Sequence, residues 1–170
     1  MGFDQLWAGW RSEYINNQAS PAGPQPDCVF DAILASGLPD TESHVLWRHA
    51  GGLVVALLNA YPYTTGHLMV MPTRHVAELE ALTPEESAAL WVGVSCAVRA
   101  IKAAYRPDGL NMGANLGSAA GAGVPGHFHV HVLPRWRGDT NFMSAVAGVR
   151  VLPESLEVTD TKLRAAWLTA

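Results

Sequence analysis

In His127-Phe128-His129-Val130-His131-Val132-Leu133-Pro134-Arg135-Trp136, histidines alternate with apolar residues at a period of two. Successive side chains of a strand project to opposite faces, so His127, His129 and His131 share one face while Phe128, Val130 and Val132 take the other. The three imidazoles then stand about 6 to 7 Å apart along one strand. Each imidazole brings two hydrogen-bonding nitrogens that an interior has to satisfy, so core packing does not explain a face made of histidine. This row is the candidate active site.

Just upstream, Gly117-Ser118-Ala119-Ala120-Gly121-Ala122-Gly123-Val124-Pro125-Gly126 is a run of small residues. Such a loop lets a ligand approach the backbone and leaves N–H groups to meet anionic oxygens, with phosphate the obvious ligand. Glycine runs are also ordinary turns. It is the neighbouring histidines that favour the anion-binding reading.

The chain has 170 residues, 49% hydrophobic and 15% charged, which suits one folded domain with a sizeable core. Its formal net charge of -4 comes without the clustered Lys and Arg of general nucleic-acid binders, so no nucleic-acid partner is expected. Met1-Gly2-Phe3-Asp4-Gln5-Leu6-Trp7 lacks the basic start and apolar core of a signal peptide. No window approaches the roughly 20 apolar residues of a membrane span, and a cytoplasmic protein without membrane association is expected. Cys28 and Cys96 lie far apart; in a reducing compartment they are expected as free thiols or as a metal ligand.

Three regions follow from the pattern. Residues 1–27 read as an N-terminal arm and linker: Trp7, Trp10, Arg11, Tyr14 and Ile15 have helical spacing, and three prolines between Asn16 and Pro26 exclude a helix there. Residues 28–140 form the domain. A short helix is expected over Ala32 to Leu38, then strands over His44 to Trp47, Gly51 to Asn59 and His67 to Pro72. Thr83, Pro84 and Glu86 form a capping-box start for a long helix to about Tyr105, stopped by Pro107 and Gly109. A strand over Leu110 to Leu116, the small-residue loop and the histidine strand complete an α+β domain with an antiparallel sheet. Residues 141–170 are a C-terminal extension with a helix expected over Glu154 to Leu168.

Two chemistries suit the histidines. Neutral imidazoles at alternate strand positions could chelate a metal. Alternatively one histidine attacks phosphorus to give a phosphoramidate while its neighbours position it and the loop N–H groups hold the non-bridging oxygens. A carboxylate-based hydrolase is disfavoured, because the motif itself contains no acidic residue.

The chain resembles the histidine triad (HIT) nucleotide-binding proteins, whose signature His-φ-His-φ-His-φ-φ, with φ apolar, is matched in full by residues 127–133. The likeness runs over about residues 28–136, through Asn59, Gly66-His67-Leu68-Met69-Val70-Met71-Pro72, Arg74-His75, Asn111, Asn115 and Ala120-Gly121. Arg11-Ser12-Glu13-Tyr14-Ile15, Leu58-Asn59-Ala60-Tyr61-Pro62-Tyr63 and the stretch from Pro134 to Met143 resemble the actinobacterial-type diadenosine tetraphosphate phosphorylases within that family.

The resemblance implies a HIT-like fold, in which a five-stranded antiparallel sheet with a long helix dimerises into a continuous sheet. It implies cleavage of a phosphoanhydride through a nucleotidyl-histidine intermediate, with His129 as nucleophile, His131 at the α-phosphate or leaving group, and His67 supporting the triad. Asn59 falls at the ribose position and Asn115 near the phosphates. Gly121, Gly123, His127, His129 and His131 complete the implied nucleotide site. The intermediate passes its nucleotide to water or to inorganic phosphate, and that choice separates hydrolase from phosphorylase. The implied substrates are diadenosine polyphosphates and their mononucleotide products.

No cofactor is implied for the chemistry, but a structural zinc is, on Cys28, Asp31, His75 and His127. Asp31 departs from the family's second cysteine and gives a harder site. Ala122-Gly123 stands where many members have a Gln or Gly followed by Ser or Thr, which leaves more work to backbone N–H groups. Three other readings stay open: a nucleoside phosphoramidase, a non-catalytic nucleotide sensor and a histidine-ligated metal enzyme. Outside the motif, His44 and His49 read as surface histidines without partners, and Trp91 and Cys96 as core residues of the long helix. Arg135, Arg137 and Asp139 either solvate a turn or contact distal phosphates.

Overall fold

The computed structural model describes residues 28–139 and 152–167; the expected N-terminal arm and linker, and the stretch 140–151, lie outside the described residues. A short helix α1 (Val29–Ala35) precedes strands β1 (Val45–Arg48), β2 (Val54–Leu58) and β3 (Leu68–Pro72). The long helix α2 (Pro84–Tyr105) leads to β4 (Gly109–Gly113) and β5 (Val130–Arg135), and α3 (Leu156–Trp167) closes the described chain. The strands form one sheet in the order β1-β2-β3-β5-β4, with every neighbouring pair antiparallel.

The two faces of the sheet have different partners, set by strand alternation. Val54, Ala56, Leu58, Leu68, Val70, Val130 and Val132 pack with Phe128 against Ala89, Leu90, Val94, Ala97 and Ile101 of α2 and Leu163 of α3. Val45, Val55, Leu57, Met69 and Met71 face the other way and pack with Cys28 and Phe30 at α1. His131 pairs with Met69, so the histidine face is the α1 face.

Helix α2 starts as expected: Thr83 accepts from the Glu86 N–H, Glu86 accepts from the Thr83 N–H, and Pro84 occupies the first turn. Arg74 donates two hydrogen bonds to the Glu86 carboxylate, at 2.8 and 2.7 Å, and so ties the end of β3 to this cap. Gly93 lies directly against the sheet. A Cβ there would stand 2.9 Å from Val70 Cγ1 and 3.0 Å from the Trp47 ring.

Several expectations shift. The first helix lies three residues earlier, because the Cys28 carbonyl accepts from the Ala32 N–H and opens the turn at Val29. Arg106, left-handed at φ 48°, caps α2, whereas Gly109 starts β4 instead of stopping the helix. The histidine strand is paired only from Val130; Phe128 donates its N–H to the Val76 carbonyl outside the ladder. Trp91 and Val92 are about half exposed, so this part of α2 is not core, and half-buried Cys96 accepts from Arg99 instead of packing inside. By length and composition alone α2 is long and apolar enough to cross a membrane, but its inner face packs on the sheet as a core helix does. His44, at φ 55°, has a partner after all: its Nδ1 lies 3.4 Å from Asp160 of α3.

Candidate active site

Each triad histidine is buried and has one ring nitrogen committed to a neighbour, which fixes where its proton sits. His129 Nδ1 lies 2.8 Å from the His127 carbonyl. A carbonyl can only accept, so Nδ1 carries the proton and Nε2 keeps the lone pair. Burial holds the His129 imidazolium below its ordinary value, so the ring is neutral at neutral pH. A neutral imidazole with a free Nε2 lone pair is what nucleophilic attack on phosphorus requires.

His131 lies beside it, ring centroids 4.8 Å apart. Burial, reinforced by the His129 charge, pushes His131 down to about 4. Its Nδ1 lies 2.9 Å from His67 Nε2. His67 Nδ1 in turn accepts the Tyr63 backbone N–H at 3.1 Å, and Asn59 Nδ2 lies 3.3 Å from the same nitrogen. With Nδ1 accepting, His67 carries its proton on Nε2 and donates it to His131 Nδ1, which leaves His131 with Nε2–H. The expected triad and His67 therefore come together, with a lone pair on His129 Nε2 beside an N–H on His131.

The loop adds backbone groups. Gly121 adopts φ 90°, a left-handed turn that favours glycine, after the short turn Ser118–Ala120. Asn115 Nδ2 donates to the Gly121 carbonyl at 3.4 Å, so its amide holds the loop shape. Gly123 is half-buried in the same loop. Arg135 is committed elsewhere: Asp139 grips it at 2.6 and 2.7 Å, and Asn111 accepts from it at 3.0 Å. This favours its reading as a turn residue over a distal phosphate contact.

A second cluster lies behind the triad. One ligand atom each from Cys28, Asp31, His75 and His127 falls within 4.8 Å of all the others. His127 donates Nε2–H to the Pro72 carbonyl at 2.9 Å, so its Nδ1 lone pair faces Cys28 Sγ at 3.4 Å and Asp31 Oδ1 at 3.3 Å. His75 Nδ1 lies 2.6 Å from the other Asp31 oxygen. An acceptor nitrogen facing a carboxylate needs a proton or a cation between them. Burial pushes the Cys28 thiol up, a cost that metal ligation would offset. One thiol, one carboxylate and two imidazoles, gathered within 4.8 Å of one another, are a donor set that fits zinc.

Sequence reasoning missed Phe30 and Tyr63. Phe30 meets the rings of both His127 and His129 edge-on, at 5.5 and 5.2 Å, and Tyr63 lies 4.6 Å from His67 and 5.7 Å from His131. The apolar residue inside Cys28-Val29-Phe30-Asp31 was the available signal for the first. For Tyr63 the signal was its place four residues before His67.

An antiparallel sheet that buries three alternating histidines beside a glycine-bearing loop defines a class, and the chain belongs to it: residues 41–138 match the HIT domain. It is 44% identical to the AP-4-A phosphorylase of Mycobacterium tuberculosis, over 96% of this chain and 84% of that protein. It is 37% identical to the asymmetrical bis(5'-nucleosyl)-tetraphosphatase of Schizosaccharomyces pombe, over 51% of this chain and 47% of that one. Among solved structures, a zinc-bound histidine triad family protein from Mycobacterium smegmatis superposes with a TM-score of 0.66 at 30% identity, covering 84% of this chain and 94% of that one.

Proposed function

We propose that the protein is a dinucleoside polyphosphate phosphorylase acting on diadenosine tetraphosphate through a nucleotidyl-histidine intermediate. The observation that carries this reading is the free Nε2 lone pair of a neutral His129, held by the His127 carbonyl and flanked by the His131 Nε2–H. Similarity to the mycobacterial phosphorylase over nearly the whole chain supports the choice of substrate.

In the first step His129 Nε2 forms a bond to the α-phosphorus, and the bond from that phosphorus to the bridging oxygen breaks. The departing oxygen takes the electron pair and the His131 N–H donates to it. ATP leaves and AMP stays on His129. In the second step an oxygen of inorganic phosphate attacks the same phosphorus, the P–N bond breaks, and ADP leaves. This reading assigns Asn59 to the ribose and the loop with Gly121 and Gly123, through its backbone N–H groups, to the non-bridging oxygens.

The reading assigns Cys28, Asp31, His75 and His127 to a structural zinc, which would tie α1 to the triad strand and supply no chemistry to the transfer. It also assigns a homodimer. Arg164 of α3 donates to the Val45 carbonyl at 3.1 Å, on the outer strand β1, which supports pairing of two sheets through the β4 edge instead. The cytoplasm, which holds nucleotides and phosphate, is the assigned location.

Product analysis tests the reading. Diadenosine tetraphosphate is incubated with the purified protein, with and without inorganic phosphate. ADP plus ATP, formed only with phosphate, is the expected result; AMP plus ATP in both cases would make the protein a hydrolase, like the fission-yeast relative. His129→Asn should lower turnover by at least a hundredfold while nucleotide still binds, and a variant that keeps a few per cent of the rate would refute the nucleophile.

A further inference from the structure

A cavity of about 180 Å³ lies between the turn that joins β2 to β3 and the start of α3. Leu58, Pro62, Leu152 and Leu156 give it aliphatic walls, and Thr65 and Glu154 add polar groups. Leu58 belongs to the sheet face that α2 and α3 cover, whereas the triad stands on the α1 face, so the cavity is separate from the nucleotide site. The two meet at His67, which also lines the cavity.

Both sides of the cavity are pinned, which keeps it from collapsing. Gly66, at φ 80°, is seated against the end of α2: a Cβ there would stand 3.0 Å from the Tyr105 ring and 3.2 Å from Pro134 Cγ. The Tyr105 hydroxyl donates to Glu154 Oε2 at 3.2 Å, and Lys162 pairs with the other Glu154 oxygen, so the start of α3 is tied to the same ring. Thr65 is 6% exposed, and its Oγ1 has no hydrogen-bond partner. A buried hydroxyl without a partner is costly, and a turn about the Cα–Cβ bond brings this one toward the cavity that Thr65 lines.

We propose that this cavity is a second binding site, for a neutral one-ring molecule that carries a single hydroxyl, with phenol the simplest of the class. The volume exceeds the roughly 150 Å³ in which an aliphatic cavity holds benzene. The aliphatic walls take the ring and Thr65 Oγ1 takes the hydroxyl. A nucleotide or phosphate is excluded, because it would lose its hydration and meet no free cation: Lys162 is already paired with Glu154. A lone water is a poor occupant, since Ser155 already accepts from the Val158 N–H and Thr65 by itself offers too few partners.

The experiment titrates the full chain, 15N-labelled, with phenol and with benzene, and follows the backbone amide signals. The expected result is saturable binding of both probes with Kd of about 1 mM, a modest affinity for so few non-hydrogen atoms, and shifts centred on Gly66 and Leu156. Thr65→Val keeps the shape and removes the hydroxyl. It should weaken phenol about fivefold, leave benzene within about twofold, and leave the Tm level or higher. Leu156→Trp fills the cavity and should weaken both probes at least tenfold; if it does not fold, Leu152→Trp at the rim takes its place.

Three results would overturn the proposal. Wild-type protein that shows no saturation by about 10 mM has no such site. Binding that survives the tryptophan variant lies elsewhere. Equal effects of Thr65→Val on phenol and benzene, or a lowered Tm, would mean that the hydroxyl is not the free partner that selects the ligand.

Discussion

Replacing Gly93 by alanine tests how the long helix is seated on the sheet. In an isolated helix the change would stabilise by about 1 kcal/mol, since glycine is a poor helix former. Here the new methyl would stand 2.9 Å from Val70 Cγ1 and 3.0 Å from the Trp47 ring. Neither neighbour yields easily: Val70 is fully buried on the central strand β3, and Trp47 stacks on Trp167 with centroids 6.1 Å apart. Overpacking of this kind costs about 1 to 3 kcal/mol, and two rigid contacts point to the upper end. The net expectation is a loss of about 2 kcal/mol, or roughly 4 to 8 °C in Tm for a chain of this size. Thermal unfolding followed by circular dichroism measures it. Val70→Ala in the Gly93→Ala background should recover part of the loss, because the two side chains share one space. A Tm that stays level or rises would mean that helix propensity outweighs packing here, and would refute the close seating.

Other perturbations give equally definite expectations. With His129 and His131 depressed by burial, the active neutral forms persist below the ordinary histidine value. The kcat/KM profile should therefore stay flat through pH 6.5 and bend only at more acid pH; an acid limb at or above 6.5 would contradict the burial argument. Glu86, held at about 2 by Arg74, contributes stability that is complete above its ordinary 4.5 and lost as pH falls toward 2. Urea titrations of Glu86→Gln should show a loss of about 1 kcal/mol at pH 7, moderated by the half-exposed Arg74, with less acid dependence below pH 4.5. Metal analysis of Cys28→Ser should find less zinc per chain than in the parent, and chelation of the parent should lower its Tm. An equal zinc content in the two proteins would remove Cys28 from the ligand set.

What the sequence revealed was what periodicity and caps control. The two-residue period of His127 to Val132 assigned the faces correctly, because strand alternation holds even where ladder pairing begins only at Val130. The Thr83 and Glu86 cap located the start of α2 to the residue, since capping is a local interaction. The outer face of α2 misled: Trp91 looks like core by composition, but facing outward depends on where the sheet lies, which no local pattern encodes. Partners distant in sequence stayed hidden for the same reason. The His44 contact with Asp160 spans 116 residues, and Phe30 against His129 depends on how α1 folds back.

The Arg164 guanidinium does more than hold α3. It reaches the Asp40 carbonyl at 3.2 Å and the Val45 carbonyl at 3.1 Å while Asp160 grips it from the same helix. The second of these contacts occupies an acceptor on the rim of β1, where an incoming strand would seek it. A sheet plugged at one rim can take on a new strand only at the other. Under the proposed pairing through β4, the capped rim would end assembly at two copies, where two bare edges could seed a fibre.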